Sequence, residues 1–339
     1  MMKKHLSLVL CILCALILCS LLASCGGSEG TTPPETSECQ HDYTEISRID
    51  AQPLKDGEAK YKCSLCEETK TEVIPMTRSL KVLAIGNSFS VDAVTYLWSI
   101  CNNAGVSDLV IANANIGGCS LDTHADNIKN STPAYAYAKY TKASAVTQKE
   151  VTLDTALEDE DWDFITVQQV SQSTGMPDTF ANLDAILAYV GAKCPDAKIY
   201  WHMTWAYQQD TTHAGFKNYN SDQATMYQAI VDTTNNTVLA NDAIVGVIPS
   251  GTTMQNLRTS SIGDTVTRDG YHASQGVGRY AISLTWYAVF TGGSVDAVRW
   301  YPSNDYFNEI ILNKDIIREA VENAIKSPFS VTQSQHTGN

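Results

Sequence analysis

LKVLAIGNSFS, residues 80–90, decides how the main part of this chain folds. Of the six residues Leu80 to Ile85 only Lys81 is polar, and Gly86-Asn87-Ser88 follows at once. A nearly continuous apolar run closed by a turn fits a strand buried on both faces, the kind found in a parallel sheet covered by helices. Outward from it the same alternation recurs. VDAVTYLWSICNNAG (91–105) reads as a helix ending at Gly105, and DLVIANA (108–114) as a second strand, leading to Gly117-Gly118. A polar stretch precedes the third strand, DFITVQ (163–168). Then come a helix at 180–194, a strand at 197–205, a helix at 222–241, a strand at 243–248 and helices at 274–290 and 310–327. Strands alternating with helices predict an α/β fold, with ligands bound beyond the C-terminal ends of the strands.

The 339 residues carry 23 Lys and Arg against 37 Asp and Glu, a formal charge of −14. No basic run interrupts that balance, which argues against a nucleic-acid partner. Residues 1–24 stand apart: Lys3, Lys4 and His5 precede eighteen small or apolar residues, the pattern of an export signal. Leu22-Ala23-Ser24-Cys25 then resembles the bacterial lipoprotein signal, which implies lipidation of Cys25, membrane attachment through that lipid and a cell-envelope location. GGSEGTTPPETS closes a flexible tether spanning 25–37.

Residues 38–78 form a small module with Cys39-x-His41 at its start and Cys63-x-x-Cys66 on an expected hairpin. Two close ligand pairs of this kind suit a tetrahedral zinc site, and the segment is too short to bury much core, so metal would supply folding energy. A disulfide-closed knot is the alternative. The main domain is placed at 79–327 and a polar tail at 328–339. The pairing of Cys101, Cys119 and Cys194 is open.

Ser88 sits in the turn after the first strand, where backbone N–H groups at a helix start can face a developing oxyanion. No Walker lysine follows, so a nucleotide phosphate site is disfavoured. Among the histidines, His272 has Asp269 three residues before it, a spacing that lets a carboxylate hold one imidazole nitrogen while the other faces a hydroxyl. His202, Trp205, Tyr207 and Gln208 after the fourth strand, with His124, are candidates for the substrate mouth. Trp162 and Trp286 read as packing residues, and the acidic run 158–161 as a solvated turn.

KVLAIGNSFS (81–90), NANIGGCS (113–120) and RDGYHAS (268–274) together resemble three blocks of the SGNH hydrolase superfamily, the GDSL-type esterases, with Gly-Asn-Ser in place of the usual Gly-Asp-Ser. The similarity runs in order over about 80–326 and extends to a poorly characterised secreted branch. It implies a three-layer flavodoxin-like fold with a central, mainly parallel sheet, and a serine esterase with Ser88 as nucleophile, His272 as base and Asp269 as its acid. The Ser88 and Gly118 N–H groups would form the oxyanion hole, with Gly117 as alternative to Gly118. The family's usual Asn donor is missing; Gln168 or Gln169 stands where it is expected. The reaction implied needs no cofactor. The expected substrate is an acylated small molecule or polysaccharide, most of all an O-acetylated carbohydrate. A glycan-binding or scaffold protein that kept the fold without turnover is the competing reading.

Overall fold

The computed structural model describes residues 39–303 and 305–338. The expected signal, Cys25 and the tether lie outside the described residues.

Three antiparallel strands make the small module: β1 (Tyr43–Ile49), β2 (Gly57–Cys63) and β3 (Thr69–Ile74), in the order β1-β2-β3. The main sheet begins with β4 (Ser79–Gly86), followed by α1 (Ser88–Val94), α2 (Leu97–Asn103) and β5 (Asp108–Asn115). Then come α3 (Leu121–Asn130), the hairpin β6 (Tyr135–Tyr140) and β7 (Val146–Val151), α4 (Leu153–Leu157) and β8 (Phe164–Val167). α5 (Leu183–Lys193), β9 (Lys198–His202), α6 (Gln223–Thr233), β10 (Ile244–Ile248), α7 (Ser250–Arg258), α8 (Val277–Thr291), α9 (Phe307–Leu312) and α10 (Lys314–Lys326) complete it.

The sheet has seven strands in the order β10-β9-β8-β4-β5-β6-β7. Its five parallel members are β4, β5, β8, β9 and β10, and they lie in space as second, first, third, fourth, fifth. That is the flavodoxin-like order, whose switch point falls between the first and third strands, here β4 and β8. The helices pack among themselves in two groups: α1, α2, α7, α8 and α10 in one, α3, α4 and α5 in the other. From Val82 to Ile85 every residue of β4 is fully buried, as a central strand between two helical layers requires. The fold is thus the three-layer, mainly parallel α/β arrangement expected.

The differences are local. The helix expected over 91–105 is two helices, starting at Ser88, and the one over 310–327 is likewise split, at Asn313. The hairpin β6–β7 pairs antiparallel to β5 and lengthens the sheet at that edge. The acidic run is the solvated turn expected, with Glu158, Asp159 and Asp161 exposed, and it also pairs with the sheet: Asp159 accepts from Tyr137 Oη and Lys139 Nζ, and Glu160 accepts from both Lys81 and Lys139. The polar tail is docked: Asn256 Oδ1 accepts from Thr332 N–H, and Glu319 from Gln335 N–H. Trp162 and Trp286 are buried.

The module meets the main domain at the pole where the strands begin. Leu54 N–H donates to Thr291 O at the end of α8, and Arg78 N–H to Pro53 O. A cleft of about 840 Å³ there is lined by Asp50, Pro53 and Lys55 together with Asp163, Phe164 and Lys198, at or beside the starts of β8 and β9. Ser88 lies past the far end of β4, eight residues and about 25 Å away.

Candidate active site

Asn87 caps α1. Its backbone is extended, with φ −140° and ψ −155°, and its Oδ1 accepts from Phe89 N–H at 3.0 Å. Ser88 is therefore the first helical residue, whose N–H has no intrahelical acceptor. Gly86, just before, has no room for a side chain: an added Cβ would lie 2.8 Å from Gln168 Cδ and 2.9 Å from Ser90 Oγ.

The second half arrives on the loop between α7 and α8. Thr267 bridges Ala273, and Arg268 N–H donates to His272 O, closing a narrow loop. Gly270 turns it with φ +88°. Inside it, Asp269 Oδ1 accepts the N–H groups of Tyr271 and His272, and Asp269 Oδ2 lies 2.7 Å from His272 Nδ1. His272 Nε2 lies 2.8 Å from Ser88 Oγ. A carboxylate on Nδ1 makes that nitrogen the N–H donor, which leaves Nε2 to accept the serine proton. Burial raises the Asp269 pKa, but the hydrogen bonds from the His272 ring and backbone outweigh it and hold the carboxyl below its ordinary range.

Asp92, fully buried on α1, fastens this loop to the nucleophile helix. It takes Arg268 Nη1 at 3.0 Å, Arg279 Nε at 2.7 Å and the N–H of Ala273, next to the histidine, at 3.0 Å. Its spacing from Ser88 gave no signal of this, because its partners lie some 180 residues on.

The loop after β5 forms the facing wall. Ile116 N–H donates to Gly86 O, and Asn87 Nδ2 donates to Cys119 O at 3.1 Å. Gly117 and Gly118 between them are exposed, and neither N–H has a partner among the described residues. Gly118 has φ +63° and open space around it, so its conformation, rather than crowding, calls for glycine.

The structure brings Ser88, His272, Asp269 and the two glycines to one place, and puts several other candidates elsewhere. Gln169 is buried with Nε2 donating to Thr179 O and Oγ1 and Oε1 accepting from Leu121 and Val170 N–H, so its amide has nothing left to offer an oxyanion. Gln168 Nε2 donates to Asn87 Oδ1 and lies behind the nucleophile turn. His202 is 0% exposed, between Gln168 Oε1 at 2.9 Å and Ser250 Oγ at 3.0 Å, with Trp286 edge-on to its ring. Burial pushes its pKa down to about 3. His124 is also buried, stacked on Tyr135 with Nδ1 2.9 Å from its hydroxyl, and its pKa falls to about 4 for the same reason.

Trp205 lies under the site. It stacks on Phe89 at 4.3 Å, and its Nε1 donates to Tyr271 O. Tyr207 is buried with its hydroxyl on Ser171. Gln208 is half-buried; its N–H donates to Gly270 O and its Oε1 accepts from Thr267. None of these five forms a rim: all are interior or brace the histidine loop. Tyr271, partly exposed with its ring 4.2 Å from that of His272, is the aromatic beside the site.

In the module, Cys39, His41, Cys63 and Cys66 present ligand atoms that all lie within 4.8 Å of one another. The Cys39 and Cys63 sulfurs are 3.9 Å apart. That is far beyond a disulfide bond of about 2.05 Å and close to the ~3.8 Å edge of a tetrahedron with metal–sulfur bonds of about 2.3 Å. His41 Nδ1 lies 3.2 Å from Cys66 Sγ, and its other nitrogen, Nε2, 3.3 Å from Glu68 Oε2. A carboxylate on the outer imidazole nitrogen is the usual support of a metal-bound histidine. The cluster can hold a metal ion. All six described cysteines are free thiols.

Together these features define an α/β protein of flavodoxin-like order with a hydrogen-bonded serine, histidine and aspartate at the C-terminal ends of its strands. The chain belongs to the DUF4886 family, a domain of unknown function, whose sequence profile matches residues 81–319. A crystal structure of a DUF4886 family protein from Bacteroides uniformis ATCC 8492 is similar at 39% identity and a TM-score of 0.72, covering 77% of this chain and all of that one. More distant are a candidate SGNH hydrolase from Slackia heliotrinireducens (17% identity, TM-score 0.40, 63% of this chain and 100% of that one) and a candidate GDSL-like lipase from Parabacteroides merdae (12%, 0.42, 64% and 99%). Overlap at that level carries nothing about activity. No curated protein matches the chain.

Proposed function

We propose that the protein is a serine esterase that removes acyl groups, O-acetyl groups above all, from carbohydrate. The observation that carries this reading is the continuous contact Asp269 Oδ2–His272 Nδ1, 2.7 Å, and His272 Nε2–Ser88 Oγ, 2.8 Å. His272 takes the serine proton as Oγ attacks the ester carbonyl, and Asp269 holds the tautomer and stabilises the imidazolium. The oxyanion develops toward the N–H groups of Ser88 and Gly118, with Gly117 alongside. His272 then protonates the leaving sugar oxygen, and the same base activates the water that releases the acid from the acyl-enzyme.

Exposure supports a polymer-borne substrate over a lipid one: the Asp269 side chain is 40% accessible and Gly117 and Gly118 face solvent. Tyr271, partly exposed beside His272, is the aromatic nearest the site for a sugar to meet. The scheme draws on no cofactor; the module's metal, for which Cys₃His favours zinc, is structural in this reading. We further propose that the chain is exported and held at the envelope by lipid on Cys25. Its acidic charge fits no nucleic-acid partner.

The test is labelling with a fluorophosphonate, alongside hydrolysis of short acyl esters and acetylated polysaccharide. Label at Ser88, lost in His272→Ala, is expected, and Ser88→Ala should lower kcat by several orders of magnitude. A folded protein that resists the probe and cleaves no ester, while wild type and Ser88→Ala bind glycan equally, would leave the non-catalytic reading standing instead.

A further inference from the structure

Behind the nucleophile turn runs a chain of buried hydrogen bonds that the reaction scheme does not use. Its directions follow from two backbone groups. Phe89 N–H can only donate, so the Asn87 atom facing it is Oδ1; Cys119 O can only accept, so the atom facing that is Nδ2. Gln168 must then turn its Nε2 to Asn87 Oδ1, 2.8 Å away, and its Oε1 to His202 Nδ1 at 2.9 Å. His202 Nδ1 therefore carries the hydrogen, and Nε2 accepts from Ser250 Oγ at 3.0 Å. Asn87, Gln168, His202 and Ser250 are each no more than 1% exposed. Every step from Ser250 to Cys119 has one donor and one acceptor; reversing the Asn87 amide breaks three bonds, and reversing that of Gln168 sets its oxygen against Asn87 Oδ1.

What the chain holds is the gap between two loops. Asn87 belongs to the turn that presents Ser88 N–H. Cys119 O belongs to the turn that presents the N–H groups of Gly117 and Gly118. The Asn87 Nδ2–Cys119 O bond ties the two directly, supported by Ile116 N–H on Gly86 O. Gly86 is glycine because Gln168 crosses its Cα on the way to Asn87.

We propose that Gln168 and His202 are positioning residues of the oxyanion site: they fix the Asn87 carboxamide so that it clamps the Gly117–Gly118 turn against the Ser88 turn. The proposal rests on the hydrolase reading. Gln168 acts on the oxyanion from one shell back, through Asn87. A carboxylate in place of Asn87 keeps the acceptor for Phe89 and Gln168 but turns an oxygen toward Cys119 O, so the clamp opens while the helix cap survives.

The experiment measures kcat and KM on a short acyl ester, the fluorophosphonate labelling rate, and thermal midpoints. The proteins are wild type, Asn87→Asp, Gln168→Met, His202→Leu and His202→Asn. In Asn87→Asp and Gln168→Met, kcat and labelling rate are expected to fall by about 10²-fold with KM changed less than about threefold, since a displaced oxyanion donor acts in the transition state. The His272 limb of the pH–rate profile should not move. His202→Leu should behave like Gln168→Met, and His202→Asn, whose amide N–H can replace Nδ1–H, should recover most of that loss. Folded Asn87→Asp and Gln168→Met proteins with kcat within about threefold of wild type overturn the positioning role alone. A wild-type protein that is neither labelled nor active overturns the hydrolase reading, and the positioning role with it.

Discussion

Lowering the pH from about 7.5 to 5 should remove roughly 4 kcal/mol of folding stability through two buried histidines alone. His202 and His124 start from an ordinary value of 6.5 and are pushed by burial to about 3 and about 4. Below pH 6.5 the unfolded chain binds protons at both sites while the folded chain does not, so stability falls as pH falls, and the loss ends only below the folded values. At pH 5 each site contributes about 1.5 pH units of difference, or about 2 kcal/mol. That figure barely depends on whether the folded value is 3 or 4, because both lie well under 5. Against a total of roughly 5–15 kcal/mol the loss is large. Urea titrations followed by tryptophan fluorescence at both pH values measure it. His202→Asn and His124→Phe should each remove about 2 kcal/mol of the pH dependence, whatever they do to stability at pH 7.5. If either variant loses as much between the two pH values as wild type does, that histidine is not held neutral in the fold.

Asp92→Ala strips the acceptor from two arginine heads and one backbone N–H; because both guanidinium groups keep some solvent, a loss of about 2–4 kcal/mol is expected, with slower turnover, and urea midpoints and kcat check it. Purified protein should hold about one zinc ion per chain, and Cys63→Ser and Cys66→Ser should lower that content; chelator should unfold the small module but leave esterase activity. Cys25→Ala should move the protein out of the membrane fraction, and a wild-type chain with no lipid by mass spectrometry would remove the anchor.

The sequence makes some of this legible and conceals the rest for physical reasons. The β4 run and the Asp-x-x-His spacing carry their own geometry, since a buried strand fixes where Ser88 emerges and three residues fix how far Asp269 is from His272. The hairpin is not legible: Tyr-Ala-Tyr-Ala-Lys-Tyr in β6 reads as mixed composition, and its partner Val-Thr-Gln-Lys-Glu-Val is almost entirely exposed. His202 and Trp205 look like rim residues because they end a strand at the catalytic pole. Their burial is decided by Trp286 from α8 and Phe89 from α1, contacts that no local pattern encodes. The same holds for Gln168 and Gln169. Their position after the third strand is readable, but whether a free amide reaches the oxyanion depends on Asn87 and Thr179, which claim it first.

The module sits where the sheet's strands start, and the serine sits where they finish. Whatever holds the chain ahead of residue 39 therefore grips it by the end opposite the mouth. A lipid on Cys25 would join the chain through a flexible tether at the pole opposite Ser88. Attachment at that pole would leave the mouth of the site clear for esters on polymers and solutes. The point of attachment, and not only the chemistry of the pocket, would then bear on which substrates it meets.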